Sequence, residues 1–448
     1  MWEGISNRLC LAFAVVAIVS WVAIAEGGLL ASSYTADSVR YMRMAENIKA
    51  GHLMNPNGIV GSDGWFAIWP IGYPTVLAAI SMLTGLEVFW ASKLISVLCT
   101  MGLLFLFWKR GGAAFPLLAL GLVNLAYLKI SRSSLSEPLF MLVLVAIGFV
   151  AADISERQRC DGFDWHSFFM LWLLFVGLFL VRYVGFFAPV WIGAALLLGR
   201  CRRSVIKTIS FAGAAAWVVD GAYWLMNKTM CGFVSGYGRS LPKETGRELL
   251  QMVIAAEMHE LQAYGILWFL AICLWFVIWR NRTQSQDSNG KGFSGRIFIV
   301  AGLLYHATVV FMRCRQSFDP LGFRLLYPGT LMIVVGIVLW MTQRGGHSGM
   351  LNWIRCVEAI PKKYFIPWLV IFMLFGGWIL HGELQLRDAL GMSVYRLGDS
   401  YPNLKERMLA KYKEVPAGTR VNIGCSCCDE DFIIAALRPD IIIETTEK

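Results

Sequence analysis

The chain has 448 residues, 57% of them hydrophobic and 16% charged, and its mean hydropathy is +0.58. Soluble domains carry about a quarter charged residues, so this composition excludes a soluble globular protein and indicates a polytopic membrane protein. The formal net charge of +10, from 40 basic and 30 acidic residues, belongs to cytoplasmic loops in such a protein and is no sign of nucleic acid.

The first apolar run, 9–31, follows Arg8 and is longer than the apolar core of a secretory signal, so it reads as an uncleaved anchor. Residues 32–87 then form a polar-to-apolar stretch. Helical spacing over 37–50 puts Asp37, Tyr41, Met44 and Ile48 on one face and Arg40, Arg43 and Asn47 on another. Such a helix is too polar to span a bilayer and is expected at the membrane surface. A Gly/Asn/Pro-rich loop follows, then a second apolar run at 67–86 that contains Pro70, Gly72 and Pro74.

Further apolar runs lie near 88–108, 113–130, 138–153, 167–181, 184–199, 205–226, 263–279, 297–312, 324–341 and 364–381. Basic clusters fall at 109–110, 157–159, 200–203, 280–296 and 344–363. If every run crosses and the N-terminus is inside, these clusters land outside. If 67–86 lies on the surface instead, all of them become cytoplasmic, as the positive-inside rule requires. The reading is therefore an all-α polytopic protein with about eleven crossings, N-terminus inside, and surface helices in the first external loop.

Residues 1–383 form the membrane domain, and 384–448 form a small external domain. The tail reads helix over 404–413, a turn and strand at P-A-G-T-R-V-N-I, and another strand at R-P-D-I-I-I-E. It is a small α/β appendage, expected to influence acceptor choice more than chemistry. Its Cys425, Cys427 and Cys428 leave one cysteine over after any disulfide, and they suggest no function.

This topology brings Asp37, Lys93, Glu137, Arg182, Arg239, Arg313, Arg315 and Arg324 to the external face. Ionisable groups near a bilayer tend to be paired or functional. Several cations around one carboxylate-bearing loop suit an anionic substrate delivered from the membrane. Asp37 could equally cap a helix, and an external arginine could simply snorkel to head groups. His306, in mid-crossing, reads as a hydrogen-bonded core histidine.

Asp37 with Tyr41, Ala45 and Gly51, then W-P-I-G-Y-P-T-V-L-A-A-I, resembles the first external loop of GT-C-fold polyprenyl-phosphate-sugar glycosyltransferases. The similar members are the bacterial relatives of dolichyl-phosphate-mannose protein mannosyltransferases, the aminoarabinose transferases and the lipopolysaccharide-core galacturonosyl transferases. Ser136-Glu137, Arg182-Tyr183-Val184-Gly185 and Arg324-Leu325-Leu326-Tyr327-Pro328 extend the resemblance over residues 9 to 341. The chain departs from the pattern in three places. Ser38 follows Asp37 where many relatives carry a second acid, Ile71-Gly72-Tyr73-Pro74 replaces a Pro-Pro, and Lys93 stands for an arginine.

The resemblance implies a membrane glycosyltransferase of the bacterial inner membrane, working on the periplasmic face. A polyprenyl-phosphate sugar would be the donor and a glycan, lipid or protein the acceptor. Asp37 would be the base of an inverting displacement. Lys93, Arg182 and Arg324 would hold the donor phosphate, and Tyr41, Glu137 and Arg239 would contact substrate, with His259 a further candidate. It implies no definite cofactor and is compatible with a divalent metal. The competing readings are a secondary transporter, which would place polar groups at the midplane, and a non-catalytic membrane scaffold.

Overall fold

The computed structural model describes residues 36–52, 67–111, 114–122, 125–157, 163–199, 201–235, 244–256, 293–316, 321–344 and 401–424, with 434, 438 and 441–446 of the tail. The expected runs 9–31, 263–279 and 364–381 lie outside the described residues, as do Arg239, His259, Cys425, Cys427 and Cys428.

Helix α1, Ala36–Lys49, carries Asp37 in its first turn. Helix α2, Gly72–Thr84, closes at Gly85 in the left-handed region, with φ 71°, where glycine has no Cβ to clash. At 13 residues it is shorter than the roughly 20 needed to span a bilayer. Among the described residues, four helices are long and apolar enough to cross: α3, Val88–Gly111; α6, Glu137–Arg157; α9, Arg203–Cys231; and α10, Phe293–Arg315. Helices α7, Trp165–Val181, α8, Ala188–Leu198, and α11, Phe323–Arg344, pack in the same bundle. The run 113–130, expected as one crossing, is two short helices, α4 at Phe115–Leu120 and α5 at Leu125–Arg132, with a turn at 121–122 between them. Large apolar side chains such as Leu98, Phe105, Phe169, Leu173, Phe211, Leu225 and Phe311 point outward, a surface suited to lipid.

The helix ends follow the charge pattern. Lys93, Glu137, Arg182 and Arg324 sit where α3 begins, α6 begins, α7 ends and α11 begins. Lys109, Arg110, Arg157, Arg203 and Arg344 sit at the opposite helix termini. Arg110 pairs with Asp153 there, joining α3 to α6.

Among the described residues, helices α10 and α11 form the most extensive helix pair. Antiparallel glycines let the backbones approach: a Cβ on Gly302 would lie 2.6 Å from the Gly329 carbonyl oxygen, and one on Gly295 2.6 Å from that of Gly336. Small residues of this kind allow close helix contact in lipid, where no hydrophobic drive presses helices together. At the upper end of this pair Tyr305 donates to the Leu325 carbonyl at 2.8 Å, and His306 Nε2 lies 3.0 Å from that of Leu326. His306 is thus hydrogen-bonded, as expected, but half-buried rather than in the core. Pro328 lies inside α11; having no N–H, it cannot bond the Arg324 carbonyl. The contacts from α10 stiffen the turn that presents Arg324.

The tail contains α12, Tyr401–Lys411, and strands β1, Arg420–Gly424, and β2, Ile442–Thr446. The strands pair in parallel, with Val421 opposite Ile443. Helix, turn and strands fall close to where the sequence pattern puts them. Arg438 ties the unit together by donating to the Tyr412 and Val415 carbonyls, each at 2.8 Å.

Candidate functional site

Glu137 opens α6 directly after the loop Ser133–Ser136, and its side chain is 1% exposed. A buried carboxylate needs charged partners. Glu137 Oε1 lies 2.5 Å from Arg182 Nη1 and 2.9 Å from Arg324 Nε. Arg324 turns the other edge of its guanidinium to Asp37, pairing Nη2 with Oδ2. The result is a chain of alternating charge, Asp37–Arg324–Glu137–Arg182, linking α1, α11, α6 and the end of α7.

Each member is placed by local structure. Arg182 is extended, with φ −151° and ψ 133°, and this ends α7. The chain then turns through a 3-10 segment, Tyr183–Phe187, and re-enters as α8 with a proline in its first turn. Gly185 permits this reversal, since a Cβ there would meet the Leu178 backbone at 2.6 Å. Burial works against the Arg182 charge, but Glu137 beside it more than offsets this and holds the guanidinium more basic than usual.

Lys93 is 5% exposed and turns inward. Its Nζ donates to Ser134 Oγ at 3.2 Å and lies 4.6 Å from the Phe89 ring centre. Ser134 also shares a 2.7 Å hydrogen bond with Ser92. Tyr41 Oη is 3.1 Å from Ser136 Oγ, and burial pushes its phenol well above the ordinary value, so it stays neutral. Its ring packs on Trp69 and Tyr73, with centres 5.6 and 5.0 Å apart. The short loop Ser133–Glu137 therefore touches Lys93, Tyr41, Arg182 and Arg324 at once.

The candidates Asp37, Lys93, Tyr41, Glu137, Arg182 and Arg324 thus converge at one end of the bundle. Arg313 stands apart from this group, buried and paired with Glu244 at the start of the helical stretch 246–256. Thr245 and Glu248 cap that stretch reciprocally, with Thr245 N donating to Glu248 at 2.6 Å. Among the described residues no cluster of three or more His, Cys, Asp or Glu side chains could hold a metal. Sequence reasoning missed Ser134, whose only signal is the serine-rich run S-S-L-S-E, and it missed Arg43, which is fully buried. It also missed the support around Tyr183, whose hydroxyl donates to the Ala67 carbonyl at 2.8 Å and accepts from Asn227 at 3.1 Å.

No family model and no curated protein matches the chain. Solved structures do. The crystal structure of ArnT from Cupriavidus metallidurans bound to undecaprenyl phosphate superposes with a TM-score of 0.56 at 14% identity, covering 98% of this chain and 86% of that one. The apo state of the same protein gives 0.57 at 15% identity, with the same coverage. The archaeal oligosaccharyltransferase AglB from Archaeoglobus fulgidus, in complex with an inhibitory peptide and a dolichol-phosphate, gives 0.43 at 12% identity, covering 92% of this chain and 58% of that one. On the two ArnT structures, this chain has the GT-C-type membrane fold.

Proposed function

We propose that this protein is a membrane glycosyltransferase that takes a sugar from a polyprenyl-phosphate donor. The observation that carries this reading is the meeting of Asp37 and three cationic side chains at one end of a GT-C-type bundle. Undecaprenyl phosphate bound to the similarly folded ArnT supports a lipid phosphate as the ligand here.

The chemistry follows from charge. As the bond from the anomeric carbon to phosphate oxygen breaks, its electron pair passes to the phosphate. Lys93, Arg182 and Arg324 stabilise that charge in a poorly solvated site. An acceptor oxygen or nitrogen attacks the anomeric carbon from the opposite side, and Asp37 takes its proton. One carboxylate suffices for such an inverting displacement, because no covalent sugar–enzyme intermediate forms. Glu137 is enclosed between two arginines and acts as their fixed counter-ion. Arg324 also pairs with Asp37; a phosphate drawing on the same guanidinium would leave the carboxylate to the acceptor.

The positive-inside rule assigns the site to the external face and the basic helix ends to the cytoplasm. The acceptor is a glycan, lipid or protein in the envelope. Purified protein incubated with radiolabelled polyprenyl-phosphate sugars and envelope fractions should move label from lipid to acceptor. Absence of transfer and of donor hydrolysis across hexosyl and pentosyl donors would reject the reading.

A further inference from the structure

Helix α1 has a second buried face. Its first face is tied to the bundle through Asp37 and Tyr41. On the second, the fully buried Arg43 donates from Nη2 to the Ile441 carbonyl at 2.6 Å. Met408, Ile434 and Ile441 from the tail share one apolar cluster with Val39, Met42 and Ala45 of α1 and with Tyr73 and Leu77 of α2. The helix carrying the candidate base therefore lies between the membrane bundle and the C-terminal appendage.

A buried guanidinium is costly unless its donors are satisfied. An aliphatic side chain would fill this site without that cost. Arginine supplies instead a rigid, directional donor, here to the Ile441 carbonyl. That carbonyl belongs to a well-held unit: the Ile441 amide donates to the Arg438 carbonyl at 3.3 Å, and the Arg438 guanidinium grips the turn after α12. Alone, a 14-residue helix is marginal in water, so α1 takes its position from its contacts.

We propose that the appendage serves the chemical step: Arg43 is a positioning residue that locks α1 to Ile441 and so fixes Asp37 against the acceptor. This rests on the transferase reading above. It assigns the tail to turnover, where the sequence alone suggests acceptor choice.

The test uses the full-length protein in lipid nanodiscs. Arg43→Met keeps volume and removes the donors. A displacement of about 1 Å can cost up to about 100-fold in rate; we expect turnover to fall at least about 10-fold. Binding of undecaprenyl phosphate should stay within about twofold, since Lys93, Arg182 and Arg324 are untouched. Amide exchange over 36–49 should rise. Arg43→Lys, which can still donate, should recover part of the turnover. Adding Arg43→Met to Asp37→Asn should cost little more than Asp37→Asn alone, because both act on one group. Wild-type turnover in Arg43→Met, or unchanged exchange over 36–49, overturns the proposal. If Arg43→Met fails to fold, Arg43→Gln takes its place with the same outcomes. Exchange is read without any sugar transfer, so an inactive wild type would reject the transferase reading while exchange still decides the clamp.

Discussion

At the residue scale the site is a balance of buried charge. Glu137 is the hinge of that balance, because both Arg182 and Arg324 rest on one of its oxygens. Removing one partner from a buried ion pair typically costs about 3–5 kcal/mol, since the remaining charge stays buried. Glu137→Gln should therefore lower thermal stability in detergent far more than Asp37→Asn, whose partner keeps Glu137. Equal melting points would show that the arginines relax to other partners. Lys93→Ala and Arg324→Ala should weaken binding of undecaprenyl phosphate, and Arg→Lys at 324 should retain only part of it, because charge matters most but the fork geometry is lost. Unchanged lipid affinity in both alanine variants would remove them from the phosphate site. Asp37, Lys93 and the two arginines were legible in the sequence as a group, because the parity of crossings brings them to one face and the family resemblance singles them out. Ser134 and Arg43 were not. A serine has no distinctive cost, and Arg43 shares its helix face with Arg40 and Asn47, so nothing local marks it as buried by residues about 400 positions away.

At the element scale, period and punctuation carry most of the information. Helices α3, α6, α9, α10 and α11 follow their apolar runs closely. The break between α4 and α5 does not follow, although Pro116 and Gly121 mark weak points in that run. The glycine contacts between α10 and α11 lay hidden as well, since spacing alone does not say which glycines meet. Their role is testable. Gly302→Leu should push α11 away from α10 and displace Arg324. Overpacking of this kind usually costs about 1–3 kcal/mol, and lipid-phosphate affinity should fall with it. Gly193→Leu is the control, as its Cβ meets nothing. Similar behaviour of the two variants would contradict the assigned role of the close approach.

At the scale of the whole molecule, the proposed orientation rests on charge distribution. On the proposed parity of crossings, with 67–86 on the surface, Lys109 and Glu156 would face the cytoplasm. Cysteines placed there should resist an impermeant reagent applied from outside; labelling at both would reverse the sidedness of the site. The tail's helix and strands were legible from their pattern, but its seat on α1 was not, because long-range docking leaves no local period. The central claim is that Asp37 is the base of a sugar transfer from a lipid phosphate. Its most direct measurement is turnover of radiolabelled polyprenyl-phosphate sugar by Asp37→Asn beside wild type, with undecaprenyl phosphate binding measured on both. The account predicts near-normal binding and a fall in turnover of about 10²-fold or more, the scale of a lost general base. Near wild-type transfer by Asp37→Asn would contradict it.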